Sequence, residues 1–198
     1  MSETRAYVAP SWDRVYEMLM DMALQIRKSG FNPHIIVGVS RGGWAPGRIL
    51  SDLLENTHTV NVKIEFYVGI GKTAGKPIVT QPIGEDISGK RVLVVDDVSD
   101  TGKSLKVAME HMLEKGAAGV KTATIYFKPH STFKPDYFAD STANWIIFPW
   151  ERLEVTKLLI QEAKAEGRDL ESVRRILDRC GFDSKTIESL IQLTGDGS

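Results

Sequence analysis

The sequence has one cysteine in 198 residues, no excess of either charge and no long hydrophobic run. Cys180 alone cannot form an internal disulfide framework or a cysteine-based zinc site. The 25 lysines and arginines balance 26 acids, unlike a general nucleic-acid-binding surface. No apolar stretch approaches the roughly 20 residues that cross a bilayer, and residues 1–5 lack the apolar segment of a signal peptide. We therefore expect a cytoplasmic protein that binds neither DNA nor membranes, with one α/β domain and a small appendage.

Hydrophobic periodicity divides most of the chain into alternating helices and strands. Ser11 is the predicted N-cap of a helix that stops at Gly30. Further helices are predicted over 45–54 and from the residues after 104 to about 115, and strands over 35–39, 60–68, 91–95, 120–127 and 145–148. Residues 69–84 and 128–140 show little periodicity, which predicts long loops. This alternation predicts an α/β fold with a mostly parallel twisted sheet flanked by helices.

The pattern changes after Glu151, where apolar residues recur at helical spacing in three consecutive segments. The first segment ends near Gly167. The caps predicted for the second and third helices are Asp169 and either Asp183 or Ser184. We therefore predict a core domain over residues 1–151 and a C-terminal helical extension over 152–198.

The most informative segment is residues 91–104, in which an apolar strand leads into Asp96 and Asp97. A loop of small residues follows, Asp100-Thr101-Gly102-Lys103-Ser104, and then a helix. The carboxyl ends of strands are where open α/β sheets bind ligands, and a helix N-terminus favours phosphate. Neighbouring carboxylates suit ribose hydroxyls or Mg²⁺. The segment therefore predicts a pocket for a phosphorylated sugar.

Other interpretations of this segment stay open at the level of the residues. Adjacent acids at a strand end also occur as plain surface turns or as metal ligands in unrelated folds. Asp100 has the residue type and place of a helix N-cap. A Walker-type loop is disfavoured because Gly102 has no glycine at the required spacing upstream.

Residues 92–104 resemble the phosphoribosyl-pyrophosphate signature of the type I phosphoribosyltransferases. Within that family the chain is most similar to the 6-oxopurine branch, particularly the xanthine-guanine enzymes, over roughly residues 10–151. The resemblance implies a core with a small hood, in which Asp96 and Asp97 hold the ribose hydroxyls, partly through Mg²⁺. Residues Asp100, Thr101, Gly102, Lys103 and Ser104 would cradle the 5′-phosphate. Asp100 would also face purine N7 as general base or acceptor.

A second segment, Val39-Ser40-Arg41-Gly42-Gly43, resembles the pyrophosphate loop of the same family. Backbone N–H groups beside Arg41 and a metal would stabilise the charge of the leaving group. In relatives this loop contains a strained non-proline peptide bond, which would join Ser40 to Arg41 here. Taken alone, Gly42-Gly43 is also typical of a simple turn.

The resemblance also implies a base-binding set. Lys128 would donate to the purine O6, Trp145 would stack on the base, and backbone groups of Ile146 would contact its edge. Glu151 stands where relatives have an aspartate that recognises the base or binds metal. Without the resemblance, Lys128 is typical of a solvated surface lysine and Trp145 of a core residue.

The expected lid departs from the family pattern, because Glu65-Phe66-Tyr67 stands where the 6-oxopurine enzymes have Ser-Ser-Tyr or Ser-Tyr. Tyr67 would close over the substrate and Lys72 would contact pyrophosphate. The expected function is an enzyme of purine salvage that transfers the 5-phosphoribosyl group of phosphoribosyl pyrophosphate to a purine, forming a nucleoside monophosphate. Hypoxanthine, guanine or xanthine is favoured, and a homodimer is expected. The alternatives are an adenine enzyme and a non-catalytic regulator that binds phosphoribosyl pyrophosphate.

Overall fold

The computed structural model describes residues 6–67 and 75–195, and the chain divides into two compact units. One unit comprises the described residues up to Arg14 together with those from Asn144 onward, and the other is Val15–Ala143. The predicted boundary between residues 1–151 and 152–198 rests on where the resemblance ends, and it stays a prediction.

The elements alternate along the chain as the periodicity predicts. The helices are α1 Trp12–Lys28, α2 Trp44–Leu53, α3 Lys103–Glu114, α4 Arg152–Ala165, α5 Leu170–Arg179 and α6 Ser184–Thr194. The strands are β1 Tyr7–Val8, β2 Ile35–Ser40, β3 Thr59–Tyr67, β4 Lys76–Gln81, β5 Arg91–Ser99, β6 Gly119–Phe127, β7 Tyr137–Ser141 and β8 Trp145–Ile146. In the part of the chain that the structure describes, no helix combines the length and apolar character needed to span a membrane.

The unit Val15–Ala143 contains a six-stranded sheet with the order β4-β3-β2-β5-β6-β7. All neighbours are parallel except β4, which runs antiparallel to β3. The central strands β2 and β5 are nearly continuous apolar runs, as expected for strands covered on both faces. Their side chains pack with α3 into one buried core formed by Ile35, Val37, Val39, Val92, Val94, Leu105, Ala108 and Met112. The prediction of a mostly parallel sheet flanked by helices is confirmed.

The other unit holds the three C-terminal helices and a short parallel pair of strands, β1 and β8. Asp169 accepts the Ser172 N–H at 3.0 Å, and Asp183 accepts the Thr186 N–H at 2.9 Å. Both predicted caps are therefore confirmed. The apolar faces of the helices enclose a separate cluster, which includes Ile147, Val155, Leu159, Ile160, Val173, Leu177, Phe182 and Ile191.

The prediction of an unbroken loop over residues 69–84 is wrong, because β4 occupies Lys76–Gln81. This strand pairs only with β3, at the edge of the sheet, and most of its side chains are exposed. An edge strand buries little on either face and tolerates proline. Because this segment contains Pro77 and lacks alternating apolar residues, its sequence did not predict a strand. The β-branched run Ile78-Val79-Thr80 was the available signal.

The predicted loop over residues 128–140 is also partly wrong, since β7 begins at Tyr137. Its entry is fixed by the Asp136 carboxylate, which accepts the Thr122 N–H at 2.9 Å and its Oγ1–H at 3.0 Å. Like β4, this strand lies at a sheet edge, and its five residues begin with two adjacent aromatics rather than an alternating pattern. The predicted strand over 145–148 is shorter than expected and ends at Ile146.

His111 on α3 supplies a pH-dependent contribution to the fold. It is buried, and its Nε2 accepts the Ile83 N–H at 3.3 Å. Burial, with a smaller effect of Lys115, lowers the pKa of His111 below its ordinary 6.5. As the pH falls, the unfolded chain therefore binds a proton at this side chain before the native imidazole does. The contribution of His111 to the free energy of unfolding is complete above pH 6.5 and is lost as the pH falls towards the lowered pKa.

We expect the Tm of the wild-type protein to fall more steeply between pH 7.5 and pH 5.5 than the Tm of His111→Gln. Glutamine can accept the Ile83 N–H but does not titrate, and every other group is common to both proteins. Thermal melts of the two proteins at several pH values measure the difference. Parallel curves would show that His111 contributes nothing to the pH dependence.

Candidate active site

The carboxyl ends of β2 and β5 lie side by side at a reversal of strand order. From β2 the chain moves to β3 on one side, and from β5 it moves to β6 on the other. Such a reversal of strand order opens the crevice in which doubly wound sheets bind ligands. The register of β2 with β5 ends at Gly38 opposite Val95, whereas β5 continues beside β6 to Ser99. Asp96 and Asp97 therefore lie inside β5, beyond the predicted strand end at residue 95.

The loop after β2 touches β5 directly, because Gly42 and Gly43 have no side chains. A Cβ on Gly42 would lie 2.5 Å from Cγ of Asp97. A Cβ on Gly43 would lie 2.6 Å from the Val39 N and closer still to the Val95 carbonyl oxygen. Residues 41–43 do form a turn, and neither glycine has room for a side chain, because the turn packs against β2 and β5. The peptide bond between Ser40 and Arg41 is cis, at the position where the resemblance implied an unusual bond.

The two adjacent carboxylates differ in their surroundings. Asp96 is half-buried, and its Oδ1 accepts the N–H of Asp97 at 3.0 Å. Burial, followed by the charge of Asp97, raises the pKa of Asp96 well above its ordinary value of 3.8. The Asp97 carboxylate faces Gly42 across the crevice. An electropositive ligand or a set of hydroxyl donors would relieve the cost of holding two acids here.

The loop after β5 presents the start of α3 to the same crevice. Gly102 takes a left-handed conformation with φ of 78° as the N-cap of α3, and the Lys103 N–H donates to Oγ1 of Thr101 at 3.4 Å. Thr101 and Lys103 are exposed, Ser104 is partly exposed, and the first turn of the helix contains no acid. This end of a 12-residue helix can therefore receive an anion. Asp100 is not the N-cap, so that alternative is wrong.

Residues 128–133 follow β6 and pack against the loop after β5. The Lys128 N–H donates to the Ser99 oxygen at 3.1 Å, and both the N–H and the hydroxyl of Thr132 donate to the Thr101 oxygen, at 3.2 and 2.9 Å. A Cβ on Gly102 would lie 2.5 Å from Cβ of Phe133. This support was not predicted. The available signal was that β5 and β6 are neighbouring parallel strands, whose ends meet at one edge of the sheet.

Lys128 is 7% exposed, which rules out a solvated surface lysine. Burial lowers its pKa, and the negative charge of Asp100 acts in the opposite direction. Asp100 itself is exposed, and its Oδ1 lies 3.0 Å from Nε2 of His130. His130 was not among the predicted site residues. A histidine two residues beyond Lys128 is equally typical of an ordinary surface loop, so the sequence gives no signal for it.

The remaining predicted site residues belong to other elements. Trp145 and Ile146 form β8, where Trp145 is 42% exposed and Ile146 is buried. Glu151 is the N-cap residue of α4, and its Oε1 accepts the Phe148 N–H at 3.2 Å. Tyr67 ends β3 opposite Lys76, and Lys72 lies outside the described residues. Within residues 6–67 and 75–195, no group of three or more His, Cys, Asp and Glu side chains could hold a metal ion.

Comparison with known proteins gives consistent matches. A family model described as phosphoribosyl transferase domain matches residues 11–153. A xanthine-guanine phosphoribosyltransferase of Gluconobacter oxydans is 26% identical over 151 residues, covering 75% of this chain and 87% of the relative. A hypoxanthine-guanine phosphoribosyltransferase of Streptococcus pneumoniae is 32% identical over 62% of this chain and 69% of its own length. The crystal structure of a purine phosphoribosyltransferase from Pyrococcus horikoshii covers 73% of this chain and 93% of its own, with 38% identity and a TM-score of 0.67.

The raised pKa of Asp96 predicts a gain of stability on replacing its charge. A raised carboxyl pKa means that its contribution to stability is present below the ordinary value and is lost as the pH rises through the raised value. Asp96→Asn keeps an acceptor for the Asp97 N–H and cannot ionise. In the ligand-free protein at pH 8 we expect a Tm about 2–4 °C higher, the shift that ~1 kcal/mol gives in a chain of this size. The gain should vanish near pH 3. An equal Tm at pH 8 would contradict the burial argument.

Proposed function

We propose that this chain, which belongs to the phosphoribosyl transferase domain family and to the purine branch of its type I enzymes, transfers a 5-phosphoribosyl group from phosphoribosyl pyrophosphate to N9 of a purine base. The observation that carries the proposal is the convergence of two different loops on one crevice. The loop after β2 offers Arg41 and the close approach of its backbone to Asp97, and β5 with its loop offers two carboxylates and a helix N-terminus. One ligand that needs both is a sugar with a phosphate at each end.

The phosphoribosyl group takes the β5 side of the crevice. The 5′-phosphate lies on the loop Asp100–Ser104, at the N-terminus of α3. The ribose 2′ and 3′ hydroxyls donate to Asp96 and Asp97. The pyrophosphate lies on Ser40–Gly43, beside the carboxylates and with Arg41 as its cation.

The two carboxylates also suit Mg²⁺, whose ligands in proteins are oxygens. Asp96 and Asp97 would hold the ion, with the other ligands supplied by water and by oxygens of the substrate, as is usual for Mg²⁺. The raised pKa of Asp96 fits this assignment, because a cation would favour its ionised form. When bound, the ion supplies charge neutralisation to the departing pyrophosphate. Glu151 as a further ligand stays a prediction from the resemblance alone.

The reaction breaks the bond from C1′ to the pyrophosphate oxygen and forms the bond from C1′ to N9. C1′ becomes oxocarbenium-like as the bond breaks, and the electron pair leaves with pyrophosphate. Asp100 takes the proton at N7 of the purine, which makes N9 the better nucleophile. Arg41 and the amides of its loop stabilise the negative charge that develops on the leaving group.

Lys128 favours a 6-oxopurine over adenine. Its ammonium is a donor with no acceptor atoms, so it suits a keto oxygen and opposes an amino group. Because the side chain is buried, a mismatched exocyclic group would leave a donor unsatisfied, and such mismatches are costly. Stacking of the base on Trp145 and contacts from Ile146 stay predictions, as do Tyr67 and Lys72 in a lid.

The proposal is tested by incubating the protein with phosphoribosyl pyrophosphate, Mg²⁺ and one purine at a time, and by measuring pyrophosphate and nucleoside monophosphate. We expect turnover with hypoxanthine, guanine or xanthine, and a kcat/KM for adenine lower by about 10²-fold or more. Adenine as the preferred base would reverse the assignment of Lys128. Binding of phosphoribosyl pyrophosphate without turnover of any base would identify a regulator instead.

Asp100→Ala tests the proton-transfer step separately from substrate binding. We expect kcat to fall about 10²–10⁴-fold, the usual contribution of a general base. The Kd of phosphoribosyl pyrophosphate should stay within roughly threefold, because the amides of the loop do not change. The control is Asp21→Ala, an exposed carboxylate on α1. Undiminished turnover in Asp100→Ala would remove this residue from the mechanism.

A further inference from the structure

We propose that His130 is a positioning residue for Asp100, holding one oxygen of the carboxylate so that the other faces the purine. This inference rests on the proposed function, since it gives Asp100 its role at N7. The direct observation is the contact between Nε2 of His130 and Oδ1 of Asp100, at 3.0 Å.

Stability does not account for this contact. The two side chains are 60% and 62% exposed, and an exposed ion pair contributes about 0–1 kcal/mol. An exposed aspartate without a neighbour would sample several rotamers, and only some of them point at the ligand. A carboxylate held by one oxygen has fewer orientations, so the cost of ordering it for proton transfer is met before the substrate binds.

The backbone around His130 is fastened to the backbone around Asp100. Five hydrogen bonds join the two segments on either side of the pair. They run from the Lys128 N–H to the Ser99 carbonyl oxygen, between the hydroxyls of Ser99 and Ser131, from the Ser99 hydroxyl to the Phe133 carbonyl oxygen, and from both the N–H and the hydroxyl of Thr132 to the Thr101 carbonyl oxygen. The imidazole is therefore carried by a segment whose place relative to Asp100 is fixed, as a positioning group requires.

A positive charge completes the surroundings of the carboxylate. Lys128 lies close enough to Asp100 for that charge to raise the lysine pKa against the effect of burial. In the proposed function Lys128 donates to the purine base, whereas Nε2 of His130 contacts Oδ1 of Asp100. Asp100 then receives the N7 proton on Oδ2, and His130 neither gains nor loses a proton in the step. Its contribution is the direction of the acceptor.

The experiment is a double-mutant cycle on kcat with His130→Ala, Asp100→Ala and the double variant. We expect His130→Ala to lower kcat about 10–100-fold, the scale of a misplaced catalytic group, with the KM of phosphoribosyl pyrophosphate unchanged. In the Asp100→Ala background the same change should have no further effect, because the histidine acts through that carboxylate. His130→Gln should restore most of kcat, since its amide nitrogen can donate from the position of Nε2.

The matched control is His58→Gln, which alters another histidine–carboxylate pair, with Nε2 of His58 2.9 Å from Oε2 of Glu85. His58 precedes β3, at the amino end of the sheet, so its kcat should equal that of the wild type. Undiminished kcat in His130→Ala, additive effects in the cycle, or a change confined to the KM of phosphoribosyl pyrophosphate would each overturn the inference. An inactive wild-type protein would instead refute the proposed function, and the role of His130 would fall with it.

Discussion

The site depends on a contact in which backbone replaces side chains. Gly42 and Gly43 let the loop after β2 approach β5 so closely that any Cβ would meet Asp97, Val39 or Val95. This approach brings the amides beside Arg41 against the carboxylates of β5. Sheet topology places the two strand ends side by side, and the absence of side chains closes the remaining distance. The proposed division of one sugar phosphate between the two loops depends on that contact.

Opposite charges are partly desolvated on neighbouring strands around the crevice. Burial raises the pKa of Asp96 within β5 and lowers the pKa of Lys128 after β6. Burial disfavours the ionised form of each side chain. Hydroxyl donors or a cation beside Asp96, and a keto oxygen beside Lys128, would stabilise these ionised forms. In the proposed function, the cost of burying these groups is offset when the complementary ligand binds, which favours that ligand over a mismatched one.

The sequence predicted those parts of the site that are contiguous in the chain. Residues 92–104 carry a strand, two acids and a helix start in one stretch, so their chemistry and their order are visible together. Residues 128–133 reach the same place only through the pairing of β6 with β5, and no local pattern marks His130 as a neighbour of Asp100. The edge strands β4 and β7 were missed for a related reason, because they bury little and leave weak periodicity. The extension of β5 from residue 96 to residue 99 rests on its pairing with β6, which composition does not reveal.

A crystal structure of the protein with a nucleoside 5′-monophosphate bound tests the proposed site most directly. We expect the phosphate to contact the amides of Thr101–Ser104, the ribose hydroxyls to contact Asp96 and Asp97, and O6 of the base to face Lys128. A phosphate lodged away from the start of α3, or a ribose that leaves both aspartates in solvent, would contradict the proposed site.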